Sequence, residues 1–292
     1  MDINSVLKFY YDLQDIDLKI RNEGFIIKKN KSLYYFYPVH YDKNNLYEFY
    51  RLNRDIIKIN PNSSEIVLNK FGDSVTLFQN KNYVLVRIGI NYYVDIDSLD
   101  LNKYKLLYRN MWDELWEKKI DYLEYQYSHI KGKNLELNQY FDFFCGLTEN
   151  AISLYKSFFS QYGNVSLFLQ HKRYNSFFYN DPFNLVIDYR VRDVAETIKY
   201  KFFEDELDNK NIDSYIKHYK FSKSELYLLY VRLLYPSIYF DVYEKIINSE
   251  DEDRDYSSTF NKFSKYLFFI EFVNSIDSFD FINDKISWLK KS

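Results

Sequence analysis

The period of the apolar residues changes once along this chain, and that change constrains the fold more than any other feature. Up to about Gly89, short runs alternate with a period of two: Gly24 to Lys29, Leu33 to Val39, Glu65 to Asn69, Val75 to Phe78 and Tyr83 to Ile88. Turn residues separate them at Asn30-Lys31, Pro61-Asn62 and Gly72-Asp73. Such runs predict strands, because successive side chains of a strand point to opposite faces. Between the second and third runs, Leu46, Phe49, Tyr50, Ile56 and Ile57 recur at helical spacing, so one helix over about Asn44 to Lys58 should pack on a small antiparallel sheet.

Beyond Gly89 the period is mostly helical. Tyr108, Trp112, Trp116, Ile120, Leu123 and Tyr127 fall on one stripe, which places both tryptophans in a core. A second helix is predicted from about Leu137 to Gln161, interrupted or tightened near Gly146, and Asn164 to Asp188 returns to strand-like alternation. Ser222 and Glu225 form a capping-box signal ahead of Leu226, Leu229 and Leu233, Pro236 ends that helix or opens the next, and Glu250 to Asp255 reads as a solvated loop. A chain of 292 residues exceeds the usual single core. No repeat or Pro/Gly/Ser linker interrupts it, so the expected organisation is α+β: a β-rich lobe over residues 1–90 and a helical lobe over 91–292, joined by a hinge.

Composition removes several function classes. Cys145 is the single cysteine, which leaves no intrachain disulfide and no cysteine zinc site, and its Phe-Phe-Cys setting suits a buried small apolar residue. The 39 basic and 42 acidic residues are intermixed, without the basic excess that releases counterions from a phosphate backbone, so nucleic acid is not an expected partner. No apolar run approaches the roughly 20 residues of a membrane helix, and the start, with Asp2, lacks a basic-then-apolar signal. The expectation is a soluble cytoplasmic protein without membrane insertion. The 32 Tyr and 26 Phe beside 6 Gly read as coding drift in an AT-rich genome, since base stacking would also want a positive groove.

No Gly-rich dinucleotide fingerprint, phosphate loop, HExxH or GxSxG occurs, and the histidines at 40, 129, 171 and 218 are scattered. The informative segment is Leu167-Phe-Leu-Gln-His-Lys-Arg-Tyr174, followed by Asn184-Leu-Val-Ile-Asp188 and Arg192-Asp193-Val-Ala-Glu196. A strand ending in His, a strand ending in Ile-Asp and an Asp-x-Ala helix start resemble the C-lobe core of aminoglycoside phosphotransferase and choline kinase-like proteins. Closer still, Trp116 to Glu124 (WEKKIDYLE), Gly146 to Ile152 (GLTENAI), His171 to Tyr174, Asp181-Pro-Phe183, Arg192 to Glu196 and Arg232 to Pro236 resemble, in that order, the YutH-type endospore coat proteins, relatives of the kinase-like CotS group.

The resemblance implies a two-lobed protein kinase-like fold, and it implies which residues would work. In an active kinase of this type an acid two residues after the His orients the attacking hydroxyl, an Asn and the Asp of the second strand hold Mg²⁺, and a strand lysine grips the phosphates. Here the acid position is Arg173, whose guanidinium stays protonated and accepts no proton. The Asn position falls near Phe178, with Asn175 or Asn180 as alternatives, and Leu33 to Val39 contains no lysine. Only Gly24 could serve a phosphate-covering turn, and Asp188 is the family residue kept in place.

Each residue also has a structural reading: Asp193 with Glu196 as a helix N-terminal box, Asp188 paired with Arg190, Arg192 or Arg173, and His171 as a hydrogen-bonded structural histidine. Thr148-Glu149-Asn150 is either a recognition edge or a turn that bends its helix. The expected protein is a pseudokinase with no cofactor and a vestigial pocket of His171, Arg173, Asp188 and Asp193. Its partners would be proteins, by the resemblance those of the spore coat, met in the mother-cell cytoplasm or the coat. The alternatives are a phosphotransferase acting from Mg-ATP on a small hydroxylated molecule, with Asp188 on the metal and Asp181 as base, and a nucleotide or anion sensor in which Arg173 grips a phosphate.

Overall fold

The computed structural model describes residues 2–21, 23–89, 99–130, 140–172, 181–204, 206–207, 209–247, 257–283 and 285. By contacts the chain divides into one unit of residues 1–108 and 171–187 and a second of 109–170 and 188–292. This differs from a cut at residue 90, because the segment from 171 to 187 returns to the first unit.

The first unit is built on a sheet. Helix α1 (Ile3–Tyr11) precedes β1 (Asp17–Arg21), β2 (Gly24–Lys29) and β3 (Ser32–Pro38); α2 (Lys43–Ile59) follows, then β4 (Glu65–Val67), β5 (Thr76–Phe78) and β6 (Lys81–Arg87). The strands are antiparallel in the order β1-β2-β3-β6-β4, and β5 also pairs with β6. Val6, Leu7, Ile27, Phe36, Phe78, Tyr83 and Leu85 form the core between α1 and the sheet. Helix α2 begins where the Asp42 side chain accepts the Asn45 N–H, a cap worth about 1 kcal/mol. It buries Leu46, Phe49, Leu52, Asn53 and Ile56; of the stripe expected from the sequence Leu46, Phe49 and Ile56 are buried, whereas Tyr50 and Ile57 are half-buried at its border. Asn53 also closes the sheet edge: its side chain donates to Ser64 O, just before β4, at 2.7 Å and accepts from Ile66 N–H within β4 at 2.8 Å.

The second unit is mostly helical. It holds α3 (Trp112–Ile130), α4 (Phe141–Tyr162), α5 (Val191–Phe203), α6 (Asn209–His218), α7 (Lys223–Leu234), α8 (Ser237–Ile247) and α9 (Ser257–Asn274). Strands β7 (Leu167–His171) and β8 (Leu185–Tyr189) pair with each other. One core runs through Trp112, Trp116, Leu123, Phe144, Tyr155, Phe158, Ile198, Leu229, Tyr239 and Phe269. The capping box of Ser222 and Glu225 is formed as expected, and α7 and α8 meet at Pro236. Tyr108 is not helical; it bridges Ile187.

Helix α4 runs through Gly146 without interruption, contrary to the expected break. Phe144, Leu147 and Thr148 are fully buried around that glycine, and their packing outweighs the roughly 1 kcal/mol that a mid-helix glycine costs. The Thr148 hydroxyl and the Asn150 amide donate back to Phe144 O and Gly146 O within the helix. Cys145 is buried, and burial pushes its thiol up to about 12. Glu250 to Asp255 lie outside the described residues. Among the described residues no helix is long and apolar enough to cross a membrane.

Candidate functional site

In the first unit the strand that should carry a phosphate-gripping lysine reads Ser-Leu-Tyr-Tyr-Phe-Tyr-Pro. The Tyr35 and Tyr37 rings stack with centroids 4.5 Å apart. Gly24 is not in a turn; it opens β2 opposite Tyr37, and a Cβ there would lie 2.7 Å from the Tyr35 ring and 2.8 Å from Tyr37 Cβ. The close approach of β3's aromatics requires the glycine.

The Tyr37 hydroxyl lies 2.6 Å from both carboxylate oxygens of Asp181, and Phe183 N–H donates to Oδ1 at 2.9 Å. Burial raises the Asp181 carboxyl to about 6, although the Tyr37 and Phe183 bonds pull it down. This value suits a base near neutral pH, but both oxygens already lie against the Tyr37 hydroxyl and Oδ1 also accepts Phe183 N–H. His171 ends β7, half-buried, while Arg173, Asn175, Phe178 and Asn180 lie outside the described residues.

In the second unit Asp188 is fully buried near the end of β8. Its Oδ1 accepts the Trp112 indole N–H at 2.9 Å and the Tyr189 backbone N–H at 2.7 Å. Its Oδ2 accepts Arg192 Nη1 at 2.6 Å and lies 3.1 Å from the same indole nitrogen. A carboxylate has about four lone-pair sites, and three N–H donors, one of them the indole shared between the two oxygens, engage both oxygens here. Among the partners open to Asp188, the structure selects Arg192, four residues on and itself buried; Arg190 instead pairs with Glu225 at 3.0 Å. Burial raises the Asp188 carboxyl against the opposing pull of Arg192, Arg232 and Trp112. Burial would lower Arg192, but Asp188 and Glu196 raise it, so the guanidinium stays charged.

Asp193 and Glu196 do not make the expected N-terminal box. Helix α5 starts after Arg190 with no side-chain cap, and Asp193 sits in its first turn, its N–H donating to the Gln170 side chain at 3.1 Å. Glu196 points into the core, accepting from Lys199 at 2.8 Å, Arg232 Nε at 2.9 Å and Ser237 at 2.9 Å. Burial works against its charge, but Lys199 and Arg232 prevail and lower its carboxyl to about 2. Lys199, with no exposed surface, also donates to Tyr235 O at 3.2 Å, and burial lowers its ammonium to about 8. The Arg232 guanidinium lies over the Trp112 and Trp116 rings, 5.2 and 5.6 Å from their centroids. Asp188 thus belongs to a polar spine with Arg192, one of the partners expected from the sequence, and with Trp112, Arg232, Glu196 and Lys199, which the sequence did not join to it. The one available signal was Asp188 four residues before Arg192 at a strand-to-helix junction.

Comparison with known proteins is consistent with this geometry. A family model described as "Spore coat putative kinase YutH" matches residues 97–268. No curated protein matches the chain. Among solved structures, the aminoglycoside phosphotransferase from Alicyclobacillus acidocaldarius superposes with a TM-score of 0.52 at 11% identity, covering 93% of this chain and 92% of that one. Spectinomycin phosphotransferase APH(9)-Ia, solved with ADP and spectinomycin, gives a TM-score of 0.52 at 11% identity over 94% of this chain and 98% of its own. The antiparallel sheet of the first unit and the helical second unit therefore have the aminoglycoside phosphotransferase-like kinase fold, and the chain belongs to the YutH family of spore coat kinase-like proteins.

Proposed function

We propose that this protein keeps the kinase fold without phosphotransfer and acts by binding other proteins during spore coat assembly. The observation that supports this most is the engagement of Asp188: the residue the family likeness assigns to Mg²⁺ has both oxygens taken by Trp112, Tyr189 N–H and Arg192, with no exposed surface. A metal there would have to displace a guanidinium at 2.6 Å inside a core, where breaking a buried pair costs about 3–5 kcal/mol. Tyr37 in β3, engaged by Asp181, and Arg173 at the acid position support the same reading. The coat setting follows from the family, and the mother-cell cytoplasm or the coat itself is where such a protein would act.

The engaged Asp188 makes a specific prediction. Asp188→Asn should lower unfolding stability by about 3–5 kcal/mol, because Arg192 is left buried without its counter-charge. The wild type, incubated with Mg-ATP and small polyols or aminoglycosides, should release or transfer no phosphate above a blank. Turnover that Asp188→Asn abolishes while the protein stays folded would restore the phosphotransferase reading, with Asp181, at about 6, as its base.

A further inference from the structure

The outer face of α2 has a feature that the Asp188 site does not explain. Two cavities of about 510 and 550 Å³ lie along this helix. They adjoin at Tyr50 and Leu68, which line both, and together they follow α2 and the segment from β4 to β5 as a groove in two parts. Its floor is apolar, from Leu46, Leu68 and Val75 at one end to Ile57, Ile66 and Val67 at the other.

The far wall is fixed in advance by one buried side chain. Asn69 Oδ1 accepts the N–H groups of Phe71 and Asp73, its Nδ2 donates to Val75 O and Thr76 Oγ1, and its own N–H bonds to Asp73 O. Gly72, at φ +83°, lets the loop turn within that set of bonds. A wall held this way pays little ordering entropy when something docks against it.

Along the helical wall, Lys43, Tyr47, Tyr50, Arg51, Arg54 and Lys58 recur at i+3 and i+4 spacing. Tyr47 is 61% exposed, and Arg51 and Arg54 lie over the Tyr47 and Tyr50 rings at 5.6 and 5.9 Å. The acids nearby are largely committed. Glu65 pairs with Arg87 at 2.8 Å, Asp55 holds Lys58 and the Tyr104 hydroxyl, and Glu48 accepts Leu106 N–H. Of the cations that line the cavities, Lys43 and Arg54 then face Asp73 as the one acid in the described lining not engaged by another side chain, and Arg51 stands beside them on the same helix.

We propose that this groove docks an acidic peptide segment of a protein partner, its apolar or aromatic side chains on the Leu46, Leu68 and Val75 floor and its carboxylates on Lys43 and Arg54. The charge complementarity and the apolar floor together favour such a peptide. The inference deepens the protein-binding reading above, yet it uses no residue of the Asp188 site.

The test uses the full chain and a short fluorescein-labelled peptide of Asp and Glu around a central Phe and Leu. Its anisotropy should report saturable, salt-sensitive binding, weakened at least about tenfold by Lys43→Glu with Arg54→Glu. Asp73→Lys should tighten it, and a peptide with Lys for each acid should not bind. All three substitutions fall on exposed side chains, and unchanged melting would verify that the fold is intact. Equal affinity for wild type and reversal variant overturns the proposal, as does tighter binding of an oligothymidylate strand. A dimer in light scattering that the reversal dissociates would also overturn it, by placing a second copy in the groove. Failure of the peptide with ATP still inert would remove this groove and leave the protein-binding reading; ATP turnover with peptide bound would do the reverse.

Discussion

Asp181 shows how much a single side chain's setting decides. Its carboxyl titrates at about 6 in place of 3.8, because burial outweighs the bonds from Tyr37 and Phe183. A folded value above the unfolded one means that folding holds the proton between those two pH values, so this group costs stability as pH rises through that window. Asp181→Asn should therefore raise stability by about 1–2 kcal/mol near pH 7.5, the full shift being discounted for partial exposure. Near pH 4 it should change little. Urea unfolding at both pH values checks this, and a loss at both would mean that the carboxylate's bond to Tyr37 outweighs the cost of burial. The sequence showed this site's residues but not its state. Asp188 and His171 were legible as family positions, and an ion pair for Asp188 was among the readings, whereas the closure of its lone pairs by Trp112, 76 positions away in the chain, needed the fold. Trp112 itself read only as core, because an indole's one polar atom leaves no mark on a helical stripe.

At the scale of elements, what was legible follows what is half-buried. Strands β2, β3 and β6 and helix α2 bury a regular face and carry its period, so they stood where expected. Strand β1 is almost wholly exposed and pairs only with β2, so no alternation marks it. Helix α1 carries a signal that went unused: Asp2 caps Ser5 N–H, and Val6 and Leu7 are buried, but nine residues give little room for a period to emerge. The expected box of Asp193 and Glu196 failed because a spacing of three also serves a helix whose Glu turns inward to Lys199 and Arg232. Gly24 gives the element-scale prediction. Gly24→Ala would force a Cβ to 2.9 Å from Phe36 O as well as against Tyr35 and Tyr37, and should cost about 1–3 kcal/mol by overpacking the β2–β3 contact. Thermal unfolding measures it, and a neutral result would show that Tyr35 can swing away and that the space beside β2 is open to other groups.

For the whole molecule the proposal is a kinase-like fold, which the comparisons show, whose Asp188 serves structure in place of metal binding. The second unit contains a spine of charges, Asp188, Arg192, Arg232, Glu196 and Lys199, whose members are buried or nearly so and hydrogen-bonded to protein partners. Such a network is destabilising when broken and leaves no donor set free for a phosphate-bound cation. Thermal unfolding of the purified full chain, with and without millimolar Mg-ATP, tests that claim most directly. A ligand at ten times its dissociation constant stabilises by about 1.4 kcal/mol, roughly 2 °C for a chain of this size. With Asp188 held by Trp112, Tyr189 and Arg192, no shift is expected with Mg-ATP, Mg-ADP or Mg²⁺ alone. A reproducible rise with Mg-ATP that Asp188→Asn removes would contradict the proposal, and would mean that Arg192 yields its partner to the metal.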